Sequence, residues 1–253
     1  MKVKPSSLRL LKPFASLNDF FVVIPPHRFI IFGEGKRARY RGIAIEGYLG
    51  ETLHEAGAYS FDAFLNGSFE KMDAGYDPLA KLDDFDELVS ADVITSFALS
   101  RLEIKLLRKQ DARHFTHVRF YKKPNGTTTA RVFDARKYFS GSISAQSVDD
   151  YAELDLDTDA DRDFYVYVEL ELLKKLPVDD YDVTVAEDEL VSFEGAETGL
   201  TFHMRDQRLG EQMEDRISDL GSYDDVFFID IDRVKPSSAD WKNPNAKPRN
   251  AKS

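Results

Sequence analysis

The chain has 253 residues, of which 45 are acidic, 34 are basic and 42% are hydrophobic, for a formal net charge of −11. That suffices for one large domain or two ordinary ones, while the acid excess excludes a whole surface built to grip nucleic acid, and the absence of cysteine excludes disulfides and thiolate metal sites. No apolar run is long enough to span a membrane, and the broken apolar stretch at 1–17 does not read as a signal peptide, so a reducing cytoplasm is the expected location.

In chain order, residues 7–18 read as a first helix, with Leu8, Leu11, Phe14, Ala15 and Leu17 apolar. Pro13 lacks an N–H and costs about 3 kcal/mol in a helix interior, so a kink or a restart is expected there. Strand-like runs follow at 20–24, 28–32 and 38–45. Residues 60–69, "SFDAFLNGSF", read as a second helix with Ser60 as N-cap. The stretch 73–92 is acidic and irregular, with a short strand expected near 85–89 and a linker at its end.

The order then recurs. Residues 99–113 carry the strongest helical pattern, and two strand-like runs flank the turn signal Pro124-Asn125-Gly126. "FYVYVEL" leads into a fourth helix over 169–176, stopped by Pro177, with acids early and lysines late as the helix dipole favours. Three short strands follow up to residue 205. Each half therefore reads as helix, strands, helix, strands, an α+β repeat with little identity between halves. A further helix is expected at 208–220 and a strand at 226–231, and 235–253, rich in polar residues and proline, reads as a disordered tail holding the sole tryptophan, Trp241.

Charge is segregated. Residues 1–45 hold nine bases against two acids, residues 97–139 eleven against three, and residues 140–200 three against eighteen. Such asymmetry fits one face for a polyanion and another that repels it, or ordinary solvated surface. On a helical wheel Arg101, Lys105 and Arg108 share one face, with Lys109 beside them and Arg113 nearer the apolar side. Leu99, Leu102, Leu106 and Leu107 cover most of the opposite side, Ile104 lies at the edge of the basic face, and Glu103 and Gln110 fall inside the apolar sector. Lys4, Arg9 and Lys12 on or near the first helix and Lys174 and Lys175 on the fourth repeat the tendency. Long cationic side chains of this kind hold a duplex through its phosphates without reading bases.

Catalytic signals are poor. Gly33-Glu34-Gly35-Lys36 lacks P-loop spacing, His54-Glu55 lacks a second zincin histidine, and His114 and His117 lack a third ligand at metal spacing. "DLDTDADRD" at 155–163 fails as a calcium loop, because Ala160 stands where glycine is required and Val166 where glutamate is. A solvated acidic turn accounts for it, and a metal-dependent nuclease using it is the remote alternative. No catalytic residue, metal or cofactor is expected.

Four stretches, "LRLLKPFASLND", "SFDAFLNGSF", "ALSRLEIKLLRK" and the closing "ELELLKKLPVDDYDVTVAEDELVSFEGAETGLTFHM", resemble the sliding clamps of T-even-type bacteriophages, the processivity factors of DNA polymerase. The likeness covers roughly 5–205. It implies a protomer of two repeated clamp domains, each with two helices backed by antiparallel β-sheet, three protomers closing into a homotrimeric ring around duplex DNA. It further implies a clamp loader that opens the ring and a polymerase held through its C-terminal peptide. On that basis domain one is expected at 1–92, domain two at 93–206, and an added element at 207–234 ahead of the tail. The implied DNA-facing residues are Lys4, Arg9, Lys12, Arg101, Lys105, Arg108, Lys109, Arg113, Lys174 and Lys175, and the implied partner-peptide pocket is Val93, Ile94, Phe97, Leu200 and Phe202. The rival expectation is a β-rich, non-enzymatic phage structural or regulatory protein.

Overall fold

The structure, a computed structural model, describes residues 2–3, 9–15, 18–33, 43–49, 55–66, 68–73, 77–123, 125–134, 151–187 and 190–205. The expectations for Lys4 and for 206–253, including Trp241, lie outside these residues, as does most of the strand expected at 38–45.

The described residues form an α+β fold dominated by antiparallel sheet. The strands are β1 (Lys2–Val3), β2 (Phe20–Ile24), β3 (Arg28–Phe32), β4 (Ala44–Leu49), β5 (Gly57–Ser60), β6 (Val93–Leu99), β7 (His117–Lys122), β8 (Thr128–Phe133), β9 (Tyr151–Asp155), β10 (Tyr165–Glu169), β11 (Tyr181–Ala186), β12 (Leu190–Gly195) and β13 (Leu200–Arg205). The helices are short: α1 (Phe61–Leu65), α2 (Leu82–Val89), α3 (Arg101–Arg108) and α4 (Leu170–Leu173), with 3₁₀ turns at Arg9–Phe14 and Pro78–Lys81. The chain divides into two compact units, one of Met1–Arg101 with Lys175–Asp206 and one containing Leu102–Lys174.

The first unit is built on one sheet in the order β5-β2-β3-β4-β13-β12-β11-β6, with β1 added in parallel to β4. Alternation sorts its side chains. Phe21, Val23, Phe29, Ile31, Ile45, Phe97, Leu99, Val183, Phe193, Leu200 and Phe202 line one face and are buried. Phe64 of α1 stacks on Phe21 and Phe29, with ring centroids at 4.3 and 5.5 Å, and Phe14 of the 3₁₀ turn meets Phe202 at 5.3 Å. These aromatic contacts between helical turns and sheet form the core.

Two expectations are corrected here. The first helix is one 3₁₀ turn containing Pro13, closed by a bond from Ala15 N–H to the Lys12 carbonyl at 3.1 Å. Proline cannot donate into an α-helical ladder, and the tighter, shorter turn needs fewer donors. The strand expected at 85–89 is instead part of α2, whose Leu82, Phe85 and Val89 recur at helical spacing (i, i+3, i+7) and turn toward the sheet.

The second unit carries the sheet β10-β7-β8-β9. The hairpin joining β7 and β8 turns through Asn125 and Gly126, as its sequence predicts; Gly126 has φ +91°, a conformation that favours glycine. One sheet face is apolar, with Val118, Phe120, Ala130, Val132, Leu154 and Val166 buried, and α4 packs on β7 and β10. The other face carries a cross-strand row of Tyr167, Arg119, Arg131 and Glu153 in register.

Candidate nucleic-acid interface

The cationic residues divide by what holds them. Helix α3 is amphipathic because Glu103, Ile104 and Leu107 are buried while Lys105 and Lys109 are exposed and Arg108 is half-buried. The buried stripe is thus rotated from the expected one: Ile104 is fully buried and Leu102 is 59% exposed, on the solvent side near Lys105. Glu103 reaches the interior with a partner, since its Oε1 accepts the Asp157 backbone N–H at 3.0 Å. That bond offsets the cost of burying a carboxylate and accounts for an acid within the apolar sector. Among the described residues no acid pairs with Lys105, Arg108 or Lys109.

Arg101 is held differently. Its guanidinium lies 2.7 Å from Glu197, 3.8 Å from Asp180 and 3.9 Å from Asp179, and its backbone N–H donates to Asp180 at 2.6 Å. Asp180 therefore sits where the positive end of the α3 dipole favours a carboxylate. The hydrogen bond to Glu197 raises the Arg101 pKa further above its ordinary value. Beneath lies Asp179, 1% exposed, which accepts backbone N–H bonds from Asp180, Glu197 and Thr198 at 2.9 to 3.2 Å. A Cβ on Gly195 would stand 2.2 Å from Thr198 Oγ1 and 2.7 Å from Asp179 Oδ2, so this position requires glycine. The stretches "LPVDDYD" and "SFEGAETG" thus meet as one acid-centred turn that receives the start of α3.

Arg113, though exposed, is clasped by Asp111 at 3.0 and 3.1 Å, and this hydrogen bonding holds the Asp111 carboxyl down at about 2. Lys174 donates to the Gln110 carbonyl at 2.5 Å, and Lys175 is half-buried. In the first unit Arg9 and Lys12 are exposed on the 3₁₀ turn. With Asp62, Leu65 and Asn66 of the α1 segment they line an open cleft of about 390 Å³.

Several bases that make residues 97–139 look basic do not face outward. Arg119 and Arg131 are 1% and 0% exposed. Arg131 binds Glu153 at 2.9 Å, and Arg119 lies 4.4 Å over the Tyr121 ring and 5.3 Å over Tyr165. Lys123 is buried against Asp155 at 2.6 Å and Lys122 donates to the Ala160 carbonyl. Sequence reading missed this internal pairing; the strand alternation that places Arg119, Tyr121 and Glu153 on one face was the available signal.

The partner-pocket residues do not share one open surface. Phe97, Leu200 and Phe202 are 5%, 0% and 0% exposed on the core face of the first sheet, Ile94 is half-buried, and Val93 is 55% exposed at the start of β6. Among the described residues no group of three or more His, Asp or Glu side chains could hold a metal, and no helix is long and apolar enough to cross a membrane.

No protein-family model matches the sequence, and no curated protein matches it. Solved structures do resemble the fold. The PCNA2–PCNA3 complex of Sulfolobus tokodaii aligns at TM-score 0.54 with 7% identity, covering 81% of this chain and 98% of that one. The Caulobacter crescentus pol III beta aligns at 0.53 with 12% identity, covering 80% and 64%, and the DNA polymerase sliding clamp of Caulobacter crescentus at 0.52 with 11% identity, covering 81% and 64%. The chain thus shares the fold of these solved clamp structures and spans less than two thirds of the bacterial clamps' length.

Proposed function

We propose that this chain is a DNA sliding clamp: a non-enzymatic processivity factor of bacteriophage replication that encircles duplex DNA as a homotrimeric ring and tethers a polymerase. In this reading a clamp loader opens the ring, the polymerase is held by its C-terminal peptide, and the domains divide at 92/93. The observation that carries the proposal is the placement of cations on short helical elements in both units of an otherwise acidic, clamp-folded chain. Lys105 and Arg108 on α3 with Lys109 just after it, and Arg9 and Lys12 beside α1, have no acid partner among the described residues and are the side chains best able to meet phosphates. Lys4 and Lys175 stay in the proposed set. Arg101, Arg113 and Lys174, already bonded within the chain, position the basic segments and add to the field.

Weak, base-independent contacts of this kind centre a duplex without anchoring it, which sliding requires. The partner-peptide set stays Val93, Ile94, Phe97, Leu200 and Phe202, of which Val93 and Ile94 are the members that reach the surface. A ring needs sheet edges to close; among the described residues β9 pairs with β8 alone and β6 with β11 alone, and such edges are stabilised by pairing across protomers.

Charge reversal of Lys105, Arg108 and Lys109 together tests the proposal, read by primer extension with the cognate polymerase and loader. The expected result is shorter products at physiological salt from a chain that melts as before. Unchanged product length would overturn the assignment of α3 to the DNA.

A further inference from the structure

Arg101 opens the basic face of α3, yet carboxylates from a distant part of the sequence surround it. The three acids are not equivalent. Asp179 is buried and accepts the backbone N–H bonds of its own turn. Asp180 accepts the Arg101 backbone N–H at 2.6 Å, so it stays at the start of α3 wherever the Arg101 side chain goes. Both lie 3.8 to 3.9 Å from the guanidinium, beyond hydrogen-bond reach. Glu197 differs. It sits exposed on the turn between β12 and β13, anchored through its backbone N–H to Asp179. Its carboxylate makes the 2.7 Å contact with Arg101, and among the described residues no other group binds it.

This bond is suited to exchange. The two side chains are 38% and 68% exposed, and an ion pair in that setting contributes little to stability. It also leaves the guanidinium partly unused. Of its five N–H donors, the one on Nε is shielded from solvent and meets no acceptor among the described residues. A phosphate offers several oxygens to the planar fork at once, which one carboxylate oxygen at 2.7 Å does not. Lys105 and Arg108 follow Arg101 at i+4 and i+7, so an anion track laid along them reaches the same guanidinium.

We infer that Glu197 is a built-in phosphate surrogate: it occupies Arg101 in the free chain, yields it to a backbone phosphate of the duplex, and so limits how tightly α3 holds DNA. The inference rests on the DNA reading above and adds to it an acid that works against binding. Because Glu197 belongs to the chain, it competes at an effective concentration on the order of millimolar, which a small free anion must exceed. A duplex already held by Lys105 and Arg108 presents its next phosphate at a comparable local concentration. Exchange therefore selects a continuous polyanion over free phosphate, and it keeps the contact weak, as sliding requires.

The test is a double-mutant cycle on the full chain, read by fluorescence anisotropy of a labelled duplex at low salt, with thermal melts to confirm folding. Glu197→Gln keeps the side chain's shape and removes the competing charge, and is expected to tighten binding about threefold or more. In an Arg101→Ala chain the same change should bring at most about half that gain, because no guanidinium is there to be released. An equal gain in both backgrounds is the signature of a lost negative charge alone and overturns the inference, as does no gain from Glu197→Gln. Should Arg101→Ala not fold, Asp180→Asn serves as the control. It removes a charge at the same end of α3 without freeing Arg101 from Glu197, and tightening equal to that of Glu197→Gln overturns the inference. Absence of duplex binding by every chain, wild type included, overturns the DNA reading and this inference with it.

Discussion

Asp179 is a carboxylate almost wholly removed from water, and the backbone around it is arranged to receive it. Three N–H donors and the missing Cβ of Gly195 make the site. Gly195→Ala should therefore destabilise the chain by about 2 kcal/mol or more, because the added methyl meets Thr198 and Asp179 inside van der Waals distance. Asp179→Ala should cost about 2–4 kcal/mol by stranding buried donors. Urea denaturation midpoints measure both, and a loss below about 0.5 kcal/mol in either would contradict this account of the turn. His117 makes a second prediction at this scale. Burial pushes its pKa down to about 4, against a smaller upward pull from Asp134, while in the unfolded chain it titrates near 6.5. Between those values the unfolded state binds the proton more readily, so this histidine's effect on stability falls as pH drops through the 6.5-to-4 window and is constant above it. Thermal melts of His117→Phe against wild type should show a smaller loss on acidification from pH 6.5 to 4, by on the order of 2 kcal/mol. Identical pH profiles would refute it.

At the scale of elements, α3 separates two roles that its sequence presents as one stripe. Arg101 ties the start of the helix to Glu197 and Asp180, whereas Lys105 and Lys109 face solvent. Arg101→Ala is thus expected to lower the melting temperature by a few degrees. Lys105→Ala with Lys109→Ala should leave stability unchanged and flatten the salt dependence of DNA binding, by about 0.9 per lost phosphate contact. Titration across a range of salt concentrations, beside thermal melts, checks the division. Much of this was legible in advance. The β7–β8 hairpin, the Ser60 cap and the three closing strands follow from turn chemistry and alternation, and the Ser60 hydroxyl does accept from Ala63 N–H. What could not be read was tertiary. The wheel placed Leu102 and Leu107 inside and Ile104 at the edge; packing buries Leu107 as expected, but Ile104 in place of Leu102. Phe85–Val89 is too short a window to separate helix from strand, and the groove that decides between them is formed by β3, β4 and β13, far away in sequence. Arg119 and Arg131 count as positive charge in a sequence, and only the register of β7, β8 and β9 pairs them with tyrosines and Glu153.

At the scale of the molecule, the first sheet joins strands from both ends of the chain, since β13 pairs with β4. The α+β class and the clamp likeness were legible from the order of elements; this joining across the sequence was not, because pairing between distant strands leaves no local pattern. The proposed ring predicts a particle of three times 28.8 kDa by mass photometry, and a stable monomer at micromolar concentration would favour a non-ring interaction protein. Topological capture is the central claim, and it has a direct measurement. The chain is incubated with nicked circular plasmid under crowding and passed over a sizing column at about 0.3 M salt, where exposed phosphate contacts are largely screened. Encirclement predicts that the protein elutes with the circle and is lost when a restriction enzyme linearises it. Retention that is the same on circular and linear DNA would contradict it.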